Sequence, residues 1–291
     1  MKRTVTTLVE GLGHPEGPDV LPDGRIVMVE TYTGKLVAWS AELGLHDYAA
    51  CGGGPNACVL GADGAVYLTQ NGGTAGAWKA AVMTAPSIQR AWPDGTCETI
   101  AETVAGLALQ APNDLTFGPD GSLYFTDPAD YDPDDPGPGR VFALHPDGTG
   151  ELLEDLSGSF PNGIAVEADG SIVWVDSYGR GVYRIDGGRS HQICRLPEGH
   201  IPDGLKIDVD GNLWITAYSG GGVDIVSPDG TIVDFLDTGG CPLNCVFQDS
   251  TLIITDLGDV SGVTDDAFMG GRLQRVDVGV EGMALFRGAI A

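Results

Sequence analysis

The sequence predicts an all-β fold: a six-bladed β-propeller of four-stranded antiparallel blades, forming one domain over residues 1–291. Three observations carry that reading. One unit recurs six times, beginning at Pro15, Pro55, Pro112, Pro161, Pro202 and Pro242 in steps of 40, 57, 49, 41 and 40 residues, and a period of this size marks propeller blades. Each copy carries an Asp-Gly turn, at 23–24, 63–64, 120–121, 169–170 and 210–211, with Asp249-Ser250 as a degenerate sixth. Asp-Gly between apolar runs signals a hairpin. Finally, 45 glycines and 18 prolines fall between short apolar runs, with no long amphipathic helix pattern among them.

The cleanest copy is Phe160 to Ser177, FPNGIAVEADGSIVWVDS. The strand-like Thr4 to Val9 precedes the first copy, and it is assigned to the sixth blade, closing the ring from the other terminus. Blade 1 reads as Gly17–Leu21, Arg25–Glu30, Lys35–Ser40 and a fourth strand near His46–Ala50. Blades 4 and 5 repeat this pattern with SIVWVD then GVYRID, and NLWITA then GVDIVS. Blades 2 and 3 are longer. Their extra residues, within 70–111 and at Ala129 to Gly139, are read as surface loops because Pro and Asp at such density cannot pair inside a strand. Trp39, Trp174 and Trp214 are expected to pack between blades.

Forty-one acidic against 15 basic side chains give a net charge of −26, which repels phosphate backbones and anionic lipid. Nucleic acid and membrane surfaces are therefore excluded as partners. No apolar run approaches the ~20 residues that span a bilayer, and MKRTVTTLVEGLG lacks the apolar stretch of a secretory leader. A soluble, cytoplasmic protein is expected. Six cysteines, at 51, 58, 97, 194, 241 and 245, show no Cys-x-x-Cys. They read as buried free thiols, with Cys51–Cys58 and Cys241–Cys245 spaced for a disulfide.

In a propeller the innermost strands all run the same way along the channel, so equivalent residues of different copies meet at one height. The residues after the prolines are Glu16, Asn56, Asn113, Asn162, Asp203 and Leu243, with Asn244 one step on. A ring of carboxylates and amides at a narrow mouth is costly unless a cation binds it. An oxygen cage of this kind suits calcium, whereas magnesium wants tighter octahedral geometry and zinc wants His or Cys. The alternative is that Asn-Gly and Asp-Gly here only form turns. His14 and His200 flank the mouth in sequence, where a histidine can shuttle protons. Tyr32, Tyr178 and Tyr218 follow second strands and are placed at its rim, while Asp127 and Asp176 end second strands as turn caps.

The copies HPEGP, APNDLTFGPDGSLYFTDP, FPNGIAVEADG and IPDGLKIDVDGNLWI resemble the senescence marker protein 30, gluconolactonase and luciferin-regenerating enzyme family over nearly the whole chain. The resemblance implies a six-bladed propeller with one catalytic divalent metal ion, usually Ca2+, with Mg2+, Mn2+ or Zn2+ as alternatives. By motif it assigns Glu16, Asn162 and Asp203 to the metal, and Asn113 to metal or substrate. It further implies a lactonase, in which water attacks a metal-polarised carbonyl and Asp203 is the base or orients the water. Asn56, Asn113, His14, His200, Tyr178 and Tyr218 would then face a small-molecule lactone or ester.

Sugar-acid lactonases of that family carry an arginine two residues before the Asn matched by Asn113. Ala111 stands there, which points to a less polar substrate. Two rival functions stay open: phosphotriester or phosphofluoridate hydrolysis at the same metal, and a non-catalytic binding propeller with a structural cation. A synthase of the strictosidine type ranks last, since it lacks the full metal set. A monomer or small homo-oligomer is expected.

Overall fold

The computed structural model describes residues 3–129, 131–264 and 267–291. Six four-stranded antiparallel sheets pack side by side in a ring through their innermost strands, the six-bladed propeller read from the repeat. Those inner strands are Pro15–Val20, Pro55–Leu60, Leu115–Phe117, Pro161–Val166, Pro202–Ile207 and Pro242–Gln248. The second strands, such as Ile26–Glu30, Ile172–Asp176 and Leu213–Ala217, are buried along their whole length. They read as unbroken apolar runs because neighbouring blades cover both faces. Outer strands such as Arg189–Arg195 are largely exposed and polar. Ring closure follows the expectation: Val5–Leu12 pairs antiparallel with Gly271–Asp277 as the outer strand of blade 6.

The Asp-Gly signal works by a slightly different turn from the two-residue hairpin. In blade 1 the Leu21 amide donates to the Arg25 carbonyl at 2.8 Å and the Gly24 amide to the Leu21 carbonyl at 2.8 Å. Pro22, Asp23 and Gly24 thus form a three-residue loop with Gly24 at φ +84°, a left-handed position where glycine carries no Cβ penalty. The same Pro-Asp-Gly loop recurs between third and outer strands, where Trp92, His145 and Ser227 pair with Thr96, Thr149 and Thr231.

Trp174 stacks on Tyr183 at 4.4 Å in a cluster joining blades 3 and 4. Trp214 meets Phe247 edge-on at 5.5 Å between blades 5 and 6, and Trp39 packs among blade 1 and blade 6 side chains. The 70–111 stretch holds more than a surface loop. It supplies blade 2's third and outer strands, Ser87–Ala91 and Cys97–Ala101, plus the small hairpins Thr74–Ala75 with Trp78–Lys79 and Thr103–Val104 with Leu107–Ala108.

Beyond blade 6 the chain crosses the face of the ring that carries the Asp-Gly turns. Met283 donates to the Ile207 carbonyl at 2.9 Å, Gly288 accepts from Ala62 at 2.7 Å, and Ile290 donates to Tyr67 Oη at 3.0 Å. Arg287 forms an ion pair with Asp19, which is 1% exposed. The tail therefore ties blades 5, 2 and 1 together at the end of the channel opposite the prolines.

The cysteine pairing departs from expectation. Cys51 is bonded to Cys97, with Cα atoms 5.6 Å apart, while Cys58, Cys241 and Cys245 are buried free thiols and Cys194 is partly covered. Cys51 follows the outer strand of blade 1 and Cys97 opens that of blade 2, so a pair 46 residues apart is adjacent in space. Cys58 lies on an inner strand and donates to the Gly17 carbonyl at 3.1 Å. Disulfides persist in oxidising compartments, so this bond sits in tension with the cytoplasmic placement expected above. No helix among the described residues is long and apolar enough to cross a membrane.

Candidate active site

Glu16, Asn162 and Asp203 come together at the mouth of the channel. Glu16 is 3% and Asn162 6% exposed, and Asp203 keeps a partly open surface. Burial, then the Asp203 charge, pushes the Glu16 carboxyl well above its usual range, against the opposing effect of the Gly17 amide that donates to Oε2 at 2.9 Å. Burial and the nearby Asp114 push Asp203 up to about 8, while the Asn162 amide acts to lower it. Two carboxyls raised by burial and by neighbouring carboxylates lack a counter-charge.

Asn162 supplies the most direct sign of what belongs there. Its Nδ2 donates to Ser177 Oγ at 3.1 Å, while its Oδ1 is buried and accepts no hydrogen bond. A buried acceptor without a donor is costly, and a hard cation would satisfy it. Among the described residues no three His, Cys, Asp or Glu side chains gather as a metal site. Any ion held here therefore relies on amide oxygens beside two carboxylates, a donor set that fits an oxygen-seeking divalent cation.

The other ring members differ. Asn56 donates from Nδ2 to the Asn113 carbonyl at 3.4 Å, and the Asn113 amide donates to the Thr126 carbonyl at 2.9 Å, so both sit at the mouth on the side of blades 2 and 3. Leu243 is buried with Cys241 and Leu257. Asn244 reaches one layer deeper, donating to Asp114 Oδ2 at 3.4 Å, while Lys206 Nζ donates to Asn244 Oδ1 at 3.4 Å. Burial raises Asp114, and the Lys206 ammonium opposes that rise.

Down the channel Asp19 is paired with Arg287, and the Lys206 ammonium offsets Asp114, with Asn244 hydrogen-bonded to both. Glu16 and Asp203 are the surplus, two carboxyls at the mouth with no cation among the main influences on either. Asp114 and Lys206 were not singled out by the sequence reading.

Two repeated devices fix the mouth. Residues ending the second strands accept from the amides just before the prolines: Glu30 from Gly13 at 2.7 Å, Gln70 from Gly54 at 2.6 Å, Asp127 from Ala111 at 2.8 Å and Asp176 from Phe160 at 2.9 Å. Asp127 and Asp176, expected as turn caps, therefore hold the loops that deliver Asn113 and Asn162. One residue after or before these strand ends, hydroxyls stitch each blade to the next: Thr31 donates to the Pro55 carbonyl at 2.8 Å, Thr126 to Asn162 at 2.8 Å, Ser177 to Pro202 at 2.7 Å and Thr216 to Leu243 at 2.7 Å. Thr69 makes the corresponding bond to the Asn113 carbonyl.

The histidines part company. His14, at φ +58°, has a buried Nδ1 without a hydrogen-bond partner and lies 5.1 Å from the Tyr32 ring. Burial lowers it to about 4, so it is neutral at pH 7. His200 turns to the third and outer strands of its own blade, with Nδ1 2.9 Å from Asp224 Oδ2 and its ring 4.9 Å from Phe235. Tyr218 lies within electrostatic reach of Asp203, Tyr131 and Tyr32, and burial pushes its phenol up to about 12. Tyr178 Oη accepts from the Asp132 amide at 2.9 Å. That bond anchors the 129–139 loop, whose Tyr131 also feels Asp203. The sequence reading passed over Tyr131, whose one signal was an aromatic residue inside an Asp- and Pro-rich loop.

A closed six-bladed ring with a polar mouth, lined by oxygen-bearing side chains from different blades, defines the class of protein. The family model described as "SMP-30/Gluconolactonase/LRE-like region" matches residues 14–257, and the chain belongs to that family. It is similar to "Gluconolactonase" of Zymomonas mobilis subsp. mobilis, with 26% identity over 91% of this chain and 82% of the relative. It is also similar to "Pentonolactonase XacC" of Haloferax volcanii, with 28% identity over 98% of each. Among solved structures, a calcium-binding protein, regucalcin, from Agrobacterium tumefaciens superposes with a TM-score of 0.77 at 18% identity, covering 100% of this chain and 97% of that one. At that identity the match shows the fold alone.

Proposed function

We propose that the protein is a divalent-metal-dependent lactonase, with its reaction centre at Glu16, Asn113, Asn162 and Asp203. The observation that carries the reading is the buried, unpartnered Asn162 Oδ1 at a mouth where burial raises the carboxyls of Glu16 and Asp203. The names of the two curated relatives, both sugar lactonases, support the reaction class, and the name of the regucalcin structure supports calcium. A divalent cation on these four residues supplies Lewis-acid polarisation of the lactone carbonyl.

The chain's own residues do the rest. Asp203 is the carboxylate open to the mouth, so it takes the proton of the attacking water as the new C–O bond forms. When the ring C–O bond breaks, that proton passes to the departing oxygen, leaving a hydroxy acid. Glu16, more enclosed and held by the Gly17 amide, is the fixed anchor. Tyr218 keeps its phenolic proton at any working pH and serves as a hydrogen-bond donor to substrate.

The test is turnover of a panel of lactones and an aryl phosphotriester by metal-stripped protein before and after calcium is restored. Lactone hydrolysis that disappears with EDTA and returns with Ca2+ is expected, and Asp203→Asn should lower kcat by at least ~100-fold. Activity within a few-fold of wild type in Asp203→Asn would overturn the role of Asp203. Preference for the phosphotriester would overturn the reaction class.

A further inference from the structure

Beside the mouth a cavity of about 530 Å³ opens between blades 4 and 5, lined among others by Tyr131, Ser177, Tyr178, Arg180, Glu198 and Ile201. Through Ser177 it adjoins the proposed reaction centre. Ser177 accepts from Asn162 Nδ2 and donates to the carbonyl of Pro202, the residue before Asp203. One wall is aromatic: the Tyr131 ring lies 5.1 Å from Phe160 and 5.3 Å from Tyr178. Tyr131 is also within electrostatic reach of Asp203.

Arg180 lines this cavity. Its φ of +58° is the left-handed turn position that Gly34 and Gly221 fill between the second and third strands of blades 1 and 5, so an arginine here stands where the turn favours glycine. Among the described residues its guanidinium has no carboxylate within ion-pair distance, although the chain carries 41 acidic side chains and most of its arginines are paired. Glu198 lines the same cavity without reaching it. In a cavity that Tyr131 and Tyr178 also line, a guanidinium without an ion-pair partner among the described residues offers a planar two-donor fork for a carboxylate, and the rings offer apolar surface for the scaffold bearing it. The ring faces of Tyr131 and Tyr178 match an apolar or aromatic scaffold better than one bearing a hydroxyl on every carbon.

We propose that Arg180 binds a carboxylate carried by the substrate, so the preferred substrates are carboxylate-bearing lactones on an apolar or aromatic scaffold rather than polyhydroxylated sugar lactones. The inference rests on the lactonase reading above and deepens it. Arg180 is a specificity residue, remote from the bond that breaks.

The experiment compares kcat/KM for an aryl γ-lactone bearing a carboxylate with that for its carboxamide analogue, in wild type, Arg180→Met and Arg180→Lys. Wild type should favour the carboxylate. Arg180→Met should cut the carboxylate-over-carboxamide ratio by roughly 30-fold, chiefly through KM, since a lost charge-assisted bidentate contact acts on binding. Arg180→Lys should restore part of the ratio, and added salt should shrink it in wild type. A wild-type preference for the carboxamide, or a ratio unchanged in Arg180→Met, overturns the proposal while leaving the lactonase reading intact. Failure of the calcium-loaded wild type to open either compound or any lactone of the wider panel overturns both.

Discussion

Asn162 Nδ2 donates to Ser177 Oγ at 3.1 Å, and that bond decides which way the amide faces. With Nδ2 committed, the buried Oδ1 finds no protein donor. Ser177 is itself oriented, because its hydroxyl proton goes to the Pro202 carbonyl at 2.7 Å. One serine thus orients the Asn162 amide of blade 4 and pins the strand that bears Asp203 in blade 5.

Ser177→Ala should therefore damage the site more than the fold. Loss of an outer partner of a metal ligand typically costs 10- to 100-fold in metal affinity, and calcium titration by calorimetry should show a drop of about that size. The stability loss should be about 1–3 kcal/mol, the cost of unsatisfied buried groups at Asn162 and Pro202. Unchanged calcium affinity would mean that Asn162 is not aimed by this bond.

How much of this was legible depends on whether a feature repeats. The ring at Glu16, Asn162 and Asp203 could be read because the register after each proline is a property of all six copies, and closure by Val5–Leu12 follows from the same logic. Asp114 and Lys206 each occur once, at positions where other copies carry residues such as Gly17, Ala57 and Gly204, or Val59 and Ala165. A singular residue has no pattern to stand against. His200 misled by nearness in sequence: three residues before Asp203, the entering loop still faces the blade, and buried Asp224 captures the ring. The disulfide was hidden for a related reason, because neighbouring outer strands lie about one period apart in sequence and the short spacings between cysteines do not report that contact.

The Asp114–Asn244–Lys206 chain yields a prediction about charge in the channel. Lys206→Met leaves a buried carboxylate without the ammonium that offsets it and Asn244 Oδ1 without that donor, at a cost of about 1–3 kcal/mol. Asp114→Asn in the same molecule should restore much of that loss. Urea unfolding of the two single variants and the double variant closes the cycle, and strict additivity would show that the two groups do not compensate each other.

Asp127 predicts a pH dependence. Burial pushes its carboxyl from 3.8 up to about 6, against the pull of the Ala111 and Gln110 amides and Arg140. A folded-state value above the unfolded one favours the protonated form, so its contribution is full below about pH 4 and lost as pH rises through about 6. Relative to Asp127→Asn, wild type should lose about 3 kcal/mol between pH 4 and pH 7. Denaturant midpoints of both proteins at the two pH values measure it, and a difference that stays constant or grows with pH contradicts the sign.

The Cys51–Cys97 bond closes a loop across a separation of 46 residues, joining the outer strands of two blades that otherwise meet mainly through their inner strands. Restricting an unfolded loop of that length stabilises the fold by about 4 kcal/mol on the chain-entropy account. Reduction, or the Cys51→Ala and Cys97→Ala double variant, should lower the melting temperature accordingly. The loss should spread to the mouth, because Cys51 leads directly into Gly52 and Gly54, which Gln70 holds at 2.9 and 2.6 Å ahead of Pro55 and Asn56. Thiol titration in denaturant decides the pairing independently: four reactive thiols before reduction and six after are expected, with Cys58, Cys194, Cys241 and Cys245 as the four. Six thiols in protein purified under oxidising conditions would show that the two blades are not stapled, and the melting temperature should then be insensitive to reductant.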